Sequence, residues 1–471
     1  MESNLYPRTH PRLYHRVWRW HFFAGLACVP FILSLAVTGA LYLFNTQIDD
    51  AVYGSTILRQ PAVAGRASLA PGRLLANALA AYPGQPLAIT LPADARHNAQ
   101  VDVGRPGGTL QVFVDPGSGR VAGTLDEGSR IMTLVKHIHS LTVAGTAGQA
   151  LIEIVAGWIV VLAATGTYLW WPRGRTVGVV AIRAGAAGRT WWRDLHAVTG
   201  AFGGVIVLFL ALTGMPWSVF WGANVNAWLT GHGLGVPAGM WSGVPKSTLP
   251  ASALGTLPWS QQHDAVPASA YPHAHAHMNM PGMAQTAPAP AYTLQGNPAV
   301  VQLDAIVARI AALGVAQGYR LALPRDADGV YSMIQTPGQV ERQRVLHLDQ
   351  YSGRVLRDLD ARSTGPIGRV TEWGVAVHQG LEYGWPNVLV MLAGCLALIC
   401  LCVSGVLAWW KRRPDGKLAA PPRKDGDRLA KGVLLIALVL GCVFPLLGAS
   451  MLAVLALDTV AAVAMRSLRT R

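Results

Sequence analysis

Charged residues are scarce in this chain of 471 residues: Asp, Glu, Lys and Arg make up 13% of it, whereas hydrophobic residues make up 52%. Soluble globular domains carry roughly 25% charged residues, so the composition excludes an ordinary soluble protein. The net charge of +14 is also unevenly spread. Most of the cations lie in four short segments that contain few acids: residues 1–20, 172–194, 411–431 and 466–471.

Cysteine is equally sparse, and its placement excludes several kinds of site. All five cysteines lie inside apolar runs: Cys28, Cys395, Cys400, Cys402 and Cys442. The polar segments therefore have no disulfide framework. The lack of a C-x-x-C-H motif excludes a covalently attached c-type haem, and no cysteine spacing fits an iron–sulfur cluster or a zinc site. The G-x-G-x-x-G fingerprint of a nucleotide-binding domain is also missing.

The chain is instead rich in long apolar runs. A helix that crosses a bilayer needs about 20 apolar residues, and four windows reach that length: 22–44, 151–171, 197–221 and 388–410. A further apolar stretch, 432–465, predicts a C-terminal span or hairpin. These runs predict an α-helical membrane protein with four main spans.

The basic segments predict how the spans are oriented, because Lys and Arg are retained on the cytoplasmic side of a membrane. The positive charge is thus an orientation signal and does not indicate nucleic-acid binding. We expect a bacterial inner-membrane protein with large periplasmic loops. The predicted order is a cytoplasmic N-terminus with span 1 (1–44), a periplasmic domain (45–150), span 2 (151–171), a cytoplasmic loop (172–196), span 3 (197–221), a second periplasmic domain (222–386), span 4 (387–410), a basic cytoplasmic loop (411–431), the C-terminal segment (432–465) and a tail (466–471).

Both predicted periplasmic segments show one coarse pattern, a helical stretch followed by three strand-like runs and a D-x-x-S-G-R-V turn. The helical stretches are 69–82 and 301–313, and the turns are Asp115–Val121 and Asp349–Val355. The strand-like runs are 87–91, 99–103 and 109–114 in the first segment, and 319–323, 330–335 and 344–348 in the second. This pattern predicts two small α+β domains.

A linker over 243–298, rich in Pro, Ala and Ser, is predicted to be poorly ordered. It contains alternating histidines followed by methionines: His273, His275, His277, Met278, Met280 and Met283. Imidazole and thioether ligands together suit copper, because soft ligands select Cu(I). The alternative is a low-complexity insertion without a fixed site.

Four histidines recur in register beside the four spans. His21 precedes Gly39 by 18 positions, as His196 precedes Gly214, and His139 precedes Gly166 by 27, as His378 precedes Gly405. Each of these glycines follows a hydroxyl residue, in the steps Thr38-Gly39, Thr165-Gly166, Thr213-Gly214 and Ser404-Gly405. We interpret the steps as sites of close helix packing that would also give a macrocycle room.

The recurrence favours a cofactor, although any one of these histidines alone would be read as an interfacial residue. A haem held by the protein needs imidazoles above and below its plane at one depth. Pairing by depth predicts two bis-histidine haem b groups. His21 and His196 form the inner pair, on the cytoplasmic side, and His139 and His378 form the outer pair.

Other residues near these pairs have weaker positional support. His15 and His137 lack counterparts in the repeat and are less favoured ligands. Arg16, Arg19 and Arg193 flank the inner pair and are candidate partners of haem propionates, although the membrane orientation alone also explains them. Glu153 serves the outer site or lies at the interface. The remaining histidines outside the linker motif are predicted to lie on the surface or in loops: His10, His97, His232, His263 and His347.

Several motifs together resemble the PepSY-associated transmembrane family. They are W-R-W-H-F-F-A-G (Trp18–Gly25), W-R-D-L-H-A-V-T-G-A-F (Trp192–Phe202), the span ends G-T-Y-L-W-W-P and G-V-L-A-W-W-K, and the two D-x-x-S-G-R-V turns. The resemblance covers the chain apart from the linker. It implies PepSY-like periplasmic domains, b-type haem and the activity of a ferrisiderophore reductase.

What the resemblance implies in chemical terms is electron transfer across the bilayer to a ferric siderophore or another iron chelate, with reduction of Fe(III) to Fe(II) in the periplasm. The electron donor would be a cytosolic reductase or membrane quinol. Two alternatives stay open: a membrane-anchored copper-handling protein, and a PepSY-type binding or inhibitory module without redox activity.

Overall fold

The computed structural model describes residues 11–59, 68–94, 96–172, 178–240, 244–247, 301–336, 338–413 and 438–469. Its main α-helices are α1 Pro11–Tyr42, α2 Asn45–Tyr53, α3 Pro71–Ala81, α4 Ile131–His139, α5 Gly145–Trp170, α6 Gly188–Gly214, α7 Trp221–Gly231, α8 Leu303–Ala312, α9 Pro366–His378, α10 Trp385–Trp410 and α11 Pro445–Arg469. Its strands are β1 Gln85–Leu91, β2 Ala99–Arg105, β3 Gly108–Val114, β4 Val121–Asp126, β5 Tyr319–Ala322, β6 Val330–Gln335, β7 Arg344–Asp349 and β8 Val355–Asp360.

The chain divides into two compact units. The membrane unit comprises residues 1–45, 134–232 and 370–471, and the sheet unit comprises residues 46–133 and 233–369. Each unit therefore combines segments that are far apart in the sequence.

Four helices of the membrane unit are long and apolar enough to cross a bilayer: Leu13–Tyr42, Thr142–Trp170, Gly188–Trp217 and Trp385–Trp410. They confirm the prediction of a membrane protein with four main spans. All four begin before the predicted windows, and α6 already starts within the predicted loop 172–196. A helix can continue into the interface because it satisfies its own backbone hydrogen bonds, while arginine side chains extend towards water.

The four spans pack in a closed ring, in which α1 and α6 each contact both α5 and α10. Their common interior is a buried apolar cluster formed by Cys28, Ile32, Ala36, Val155, Ile159, Val207, Ala211, Leu398 and Cys402. All five cysteines are free thiols, so Cys28 and Cys402 serve here as small apolar residues.

The C-terminal helix α11 packs against α5. The Trp158 indole N–H donates to Ser450 Oγ at 3.0 Å, and a Cβ at Gly157 would lie 3.0 Å from the Cβ of Leu447. The apolar part of α11, Pro445–Leu457, is shorter than the four spans. The earlier part of the predicted segment 432–465, before residue 438, lies outside the described residues.

The sheet unit is built around one antiparallel sheet of eight strands, in the order β4-β3-β2-β1-β5-β6-β7-β8. All six predicted strand-like runs correspond to strands. The final strand of each half, β4 and β8, follows a D-x-x-S-G-R-V turn and was not among the predicted runs. In both turns the glycine that follows the serine, Gly119 or Gly353, has positive φ, a conformation that glycine adopts without strain.

The structure differs from the prediction of two separate domains, because the halves share one sheet and one core. Strand β1 pairs with β5 in register Ile89↔Leu321, and a single buried cluster contains residues of α3 and α8. An ion pair of 2.8 Å joins Asp102 to Arg320 across the junction. Each half alone would expose the edge of β1 or β5, and pairing satisfies the backbone groups of both edges.

His347, predicted to lie on the surface or in a loop, is buried on β7. Its Nδ1 lies 2.8 Å from Ser332 Oγ, and its Nε2 contacts the Gly239 carbonyl. Burial lowers the pKa of His347, and its neutral ring uses one nitrogen as donor and the other as acceptor. The prediction was wrong because the covering segment, which includes Gly239, is more than a hundred residues away in the sequence.

Candidate functional site

Each of the four repeated histidines contacts the hydroxyl–glycine step of another helix in the membrane unit. His21 Nδ1 lies 2.9 Å from Thr165 Oγ1, and His139 Nδ1 lies 2.9 Å from Thr38 Oγ1. The second half repeats this arrangement, with His378 Nδ1 at 2.9 Å from Thr213 Oγ1.

His196 makes the fourth such contact in a slightly different way. Its Nδ1 lies 3.0 Å from the Leu401 carbonyl and 3.3 Å from Ser404 Oγ. Because a carbonyl only accepts, the proton of this ring is on Nδ1.

The hydroxyl contacts assign the same tautomer to the other three rings. Each threonine hydroxyl also lies within hydrogen-bond distance of the carbonyl one helical turn earlier: Thr38 to Ser34 at 2.5 Å, Thr165 to Val161 at 2.7 Å and Thr213 to Phe209 at 2.6 Å. A hydroxyl has one proton, and when it is donated to the carbonyl, the oxygen can only accept from the imidazole. The proton is then on Nδ1, and Nε2 keeps a free lone pair.

The glycine of each step leaves room for the imidazole. A Cβ at Gly166 would lie 3.2 Å from Cε1 of His21, and a Cβ at Gly405 would lie 3.3 Å from Cε1 of His196. In the outer pair the corresponding distances are 3.3 Å from Gly39 to His139 and 3.7 Å from Gly214 to His378. The steps therefore do more than bring helices together. The hydroxyl residue of each step accepts a hydrogen bond from Nδ1–H, and the glycine after it makes space for the ring.

The two rings of the inner pair lie at a distance from each other that suits a shared ligand. The ring centroids of His21 and His196 are 6.2 Å apart, and the ring planes are inclined by 84°. With metal–nitrogen bonds of about 2 Å, as for zinc, an ion centred between two imidazoles places their ring centroids about 6 Å apart.

Both rings of the outer pair are desolvated by the protein around them. Burial lowers the pKa of His378 to about 4, and the charge of His139 is the second cause. Burial likewise lowers the pKa of His139. The indole of Trp217 packs edge-on against His378, with ring centroids 5.9 Å apart.

The arginines near the inner pair have partners of their own. Arg193 forms an ion pair of 2.6 Å with Asp194, whose fully buried carboxylate also binds Arg183 at 2.8 Å. The Arg19 guanidinium lies over the ring of Phe23, 5.5 Å from its centroid. Arg16 is on the same helix as Arg19. The ion pairs of Asp194 hold the segment before α6 against the helix that carries His196.

The less favoured histidines contact residues that are close to them in the sequence. His15 packs edge-on against Tyr14 and Trp18. His137 is exposed near the end of α4, where its carbonyl accepts from the Thr142 hydroxyl. The predicted copper ligands of the linker, from His273 to Met283, lie outside the described residues.

Glu153 is buried, with only 3% of its surface exposed. Its carboxylate accepts from the backbone N–H groups of Phe220 at 2.8 Å and Trp221 at 3.1 Å. It thus caps the start of α7 from a different helix, a role that spacing along the sequence does not reveal.

These features define a multi-pass membrane protein whose four spans surround histidines fixed by hydrogen bonds to neighbouring helices. The chain belongs to the PepSY-associated transmembrane family: the family model for the PepSY-associated TM region matches residues 18–412. The match begins at the first W-R-x-H motif and ends after span 4, so it includes all four histidines. A search of curated proteins gave no match to this sequence.

Proposed function

We propose that the protein is an inner-membrane di-haem b electron-transfer protein that reduces ferric siderophore, or another ferric chelate, in the periplasm. The observation that supports this function best is the contact that Nδ1 of each of the four histidines makes with a hydroxyl or carbonyl oxygen of a neighbouring helix. Each imidazole thus donates a hydrogen bond from Nδ1–H and keeps the Nε2 lone pair, which is the arrangement of a metal-binding histidine with its orienting partner.

The residues present fit haem b. His21 and His196 would hold an inner haem, and His139 and His378 an outer one. The ring spacing of the inner pair would allow both imidazoles to bind one haem iron, and the glycine steps give the rings space. Haem b, when bound, supplies a one-electron couple whose potential depends on its axial ligands and their hydrogen bonds.

The protein's own residues would fix the ligands and keep water out. A neutral hydroxyl or carbonyl partner holds the proton at Nδ1 without adding a charge to the bundle. The apolar cluster between the inner and the outer pair excludes water. Along α1 the two levels, His21 at the inner pair and Thr38 at the outer pair, are about 25 Å apart, as the rise per residue of a helix gives. Electrons would come from a cytosolic reductase or from membrane quinol.

Reduction suits iron release because hard oxygen chelators hold Fe(III) much more tightly than Fe(II). The chelated ion gains one electron and no bond to carbon or phosphorus is broken, so no acid–base pair is required. We therefore propose a haem-dependent ferric-chelate reductase in which the chain supplies no catalytic side chain beyond the haem ligands.

The full-length protein tests this function directly. Purified in detergent, it is expected to show a Soret band, a reduced α-band and two haems per chain. In liposomes that contain a reductant inside, it is expected to reduce an external ferric siderophore, measured with an external Fe(II) chelator, and protein-free liposomes are the control. A protein without these bands would overturn the redox function and favour a copper-handling or a PepSY-type binding module.

The linker motif supports copper binding as a second candidate function, because three alternating histidines precede three methionines between His273 and Met283. Deleting residues 270–284 is expected to abolish Cu(I) binding by the purified protein, measured by competition with a chromogenic chelator, and to leave the haem bands unchanged. Equal Cu(I) binding by both proteins would identify the motif as a low-complexity insertion.

A further inference from the structure

The buried carboxylate of Glu153 has no role in the ligand set and calls for a physical explanation. An acid inside a membrane helix is costly unless it is paired or accepts hydrogen bonds. Glu153 accepts two, from the N–H groups of Phe220 and Trp221. Phe220 is the N-cap residue of α7 and Trp221 its first residue, a position where the helix dipole also favours negative charge.

The start of α7 is part of a tightly built corner that follows α6. A short 3₁₀ turn, Met215–Trp217, separates the two helices. The Gly222 N–H donates to Ser218 Oγ at 2.9 Å, and a Cβ at Gly222 would lie 2.4 Å from the Pro216 carbonyl oxygen. With so little free space, the cap on α7 also fixes the turn before it.

This corner carries the aromatic side chain that packs on the outer pair. Trp217, the last residue of the turn, lies edge-on to His378 with ring planes inclined by 81°. Four residues earlier, Thr213 accepts a hydrogen bond from Nδ1–H of the same ring. Two of the contacts that set the His378 plane therefore come from the end of α6 and the turn that Glu153 secures.

The other half of the repeat has no acid at the position equivalent to Glu153. Glu153 follows His139 by 14 positions, and the position 14 residues after His378 is Leu392. A carboxylate at only one of the two equivalent positions indicates a role at a single site.

We propose that Glu153 is a positioning residue of the outer pair: by capping α7 it holds the Met215–Trp217 turn, and thereby fixes the imidazole plane of His378. The inference rests on the proposed function, because the plane of an axial imidazole matters through the haem that it binds. Glu153 touches neither the histidines nor the substrate, and its effect is transmitted through Trp217.

The test compares full-length Glu153→Gln and Glu153→Ala with the wild-type protein. In Glu153→Gln the amide nitrogen faces a backbone N–H, so one of the two cap hydrogen bonds is lost. We expect the low-spin ferric EPR signal and the midpoint potential of the outer haem to shift, and those of the inner haem to stay unchanged. Hydrogen exchange at the N–H groups of Phe220 and Trp221 is expected to increase.

Two further variants separate positioning from a general loss of stability. Trp217→Phe, which leaves the cap intact, is expected to shift the same outer signal. Glu341→Gln, an exposed acid of the sheet unit, is expected to change neither haem. If Glu153→Ala misfolds and loses both haems, the nearly isosteric Glu153→Gln provides the test of the positioning role.

The failure of this inference is distinguishable from the failure of the proposed function. Two bound haems with an outer signal that is the same in wild type and Glu153→Gln would overturn the positioning role alone. A wild-type protein that binds no haem would overturn both.

Discussion

Replacing His378 by alanine is expected to halve the haem content of the purified protein, from two haems per chain to one. The remaining haem should have the spectrum and potential of the inner pair. The reason is that a bis-histidine haem depends on both imidazoles. His139→Ala should give the same residual spectrum, since it removes the other ligand of the same haem.

The inner pair provides the complementary result. His21→Ala and His196→Ala should each leave only the outer haem, and the double variant His196→Ala/His378→Ala should contain none. In liposomes, either single loss is expected to reduce the rate of external ferric chelate reduction to that of protein-free membranes, because electrons must pass both levels.

His15→Ala and His137→Ala are the matched controls for these variants. Each removes a histidine close in sequence to a proposed ligand, and each should retain two haems and full reductase activity. Unchanged haem content in both His196→Ala and His378→Ala would refute the ligand pairing, as would the loss of a haem in His137→Ala.

A leucine at Gly166 is expected to remove the inner haem almost completely. The new Cβ would lie 3.2 Å from Cε1 of His21, and the larger side chain beyond it would occupy the space of the ring. Overpacking in a close-packed interior costs about 1–3 kcal/mol, and turning the imidazole away avoids that cost. The ligand would then lose its geometry while the helix stays intact. The measurement is the haem-to-protein ratio with a redox titration.

Gly204→Leu is the control, because it places the same substitution in another span where an added Cβ meets nothing within 4 Å. It should retain both haems. If Gly166→Leu and Gly204→Leu had the same haem content, the glycine steps would serve only for helix packing.

The histidine positions could be predicted from the sequence because a repeat in register is visible along one chain. The contacts could not, because spacing shows which residues share a helix and does not show which helix faces them. The hydroxyl residue of each step was thus predicted as a small packing residue, whereas Thr165 accepts a hydrogen bond from His21 on another span. The available signal for these contacts was the hydroxyl residue that recurs before each of the four step glycines.

Non-local pairing also explains what was missed outside the spans. The strand-like runs followed from alternating hydrophobicity, but the junction of β1 with β5 joins segments on either side of the linker and of α6. His347 and Glu153 belong to the same class, since each is satisfied by backbone groups remote in sequence. In all three cases the sequence shows the residue or strand itself but does not show the distant group that it pairs with.

The shared sheet has a consequence for biogenesis. Asp102 and Arg320, which pair across its central junction, are 218 positions apart. At a synthesis rate of about 5–20 residues per second, the first four strands wait on the order of 10–45 s for their partner. Throughout that interval the edge of β1 is an unpaired template for other strands. The first half of the sheet therefore completes its pairing only after the second half has been synthesised.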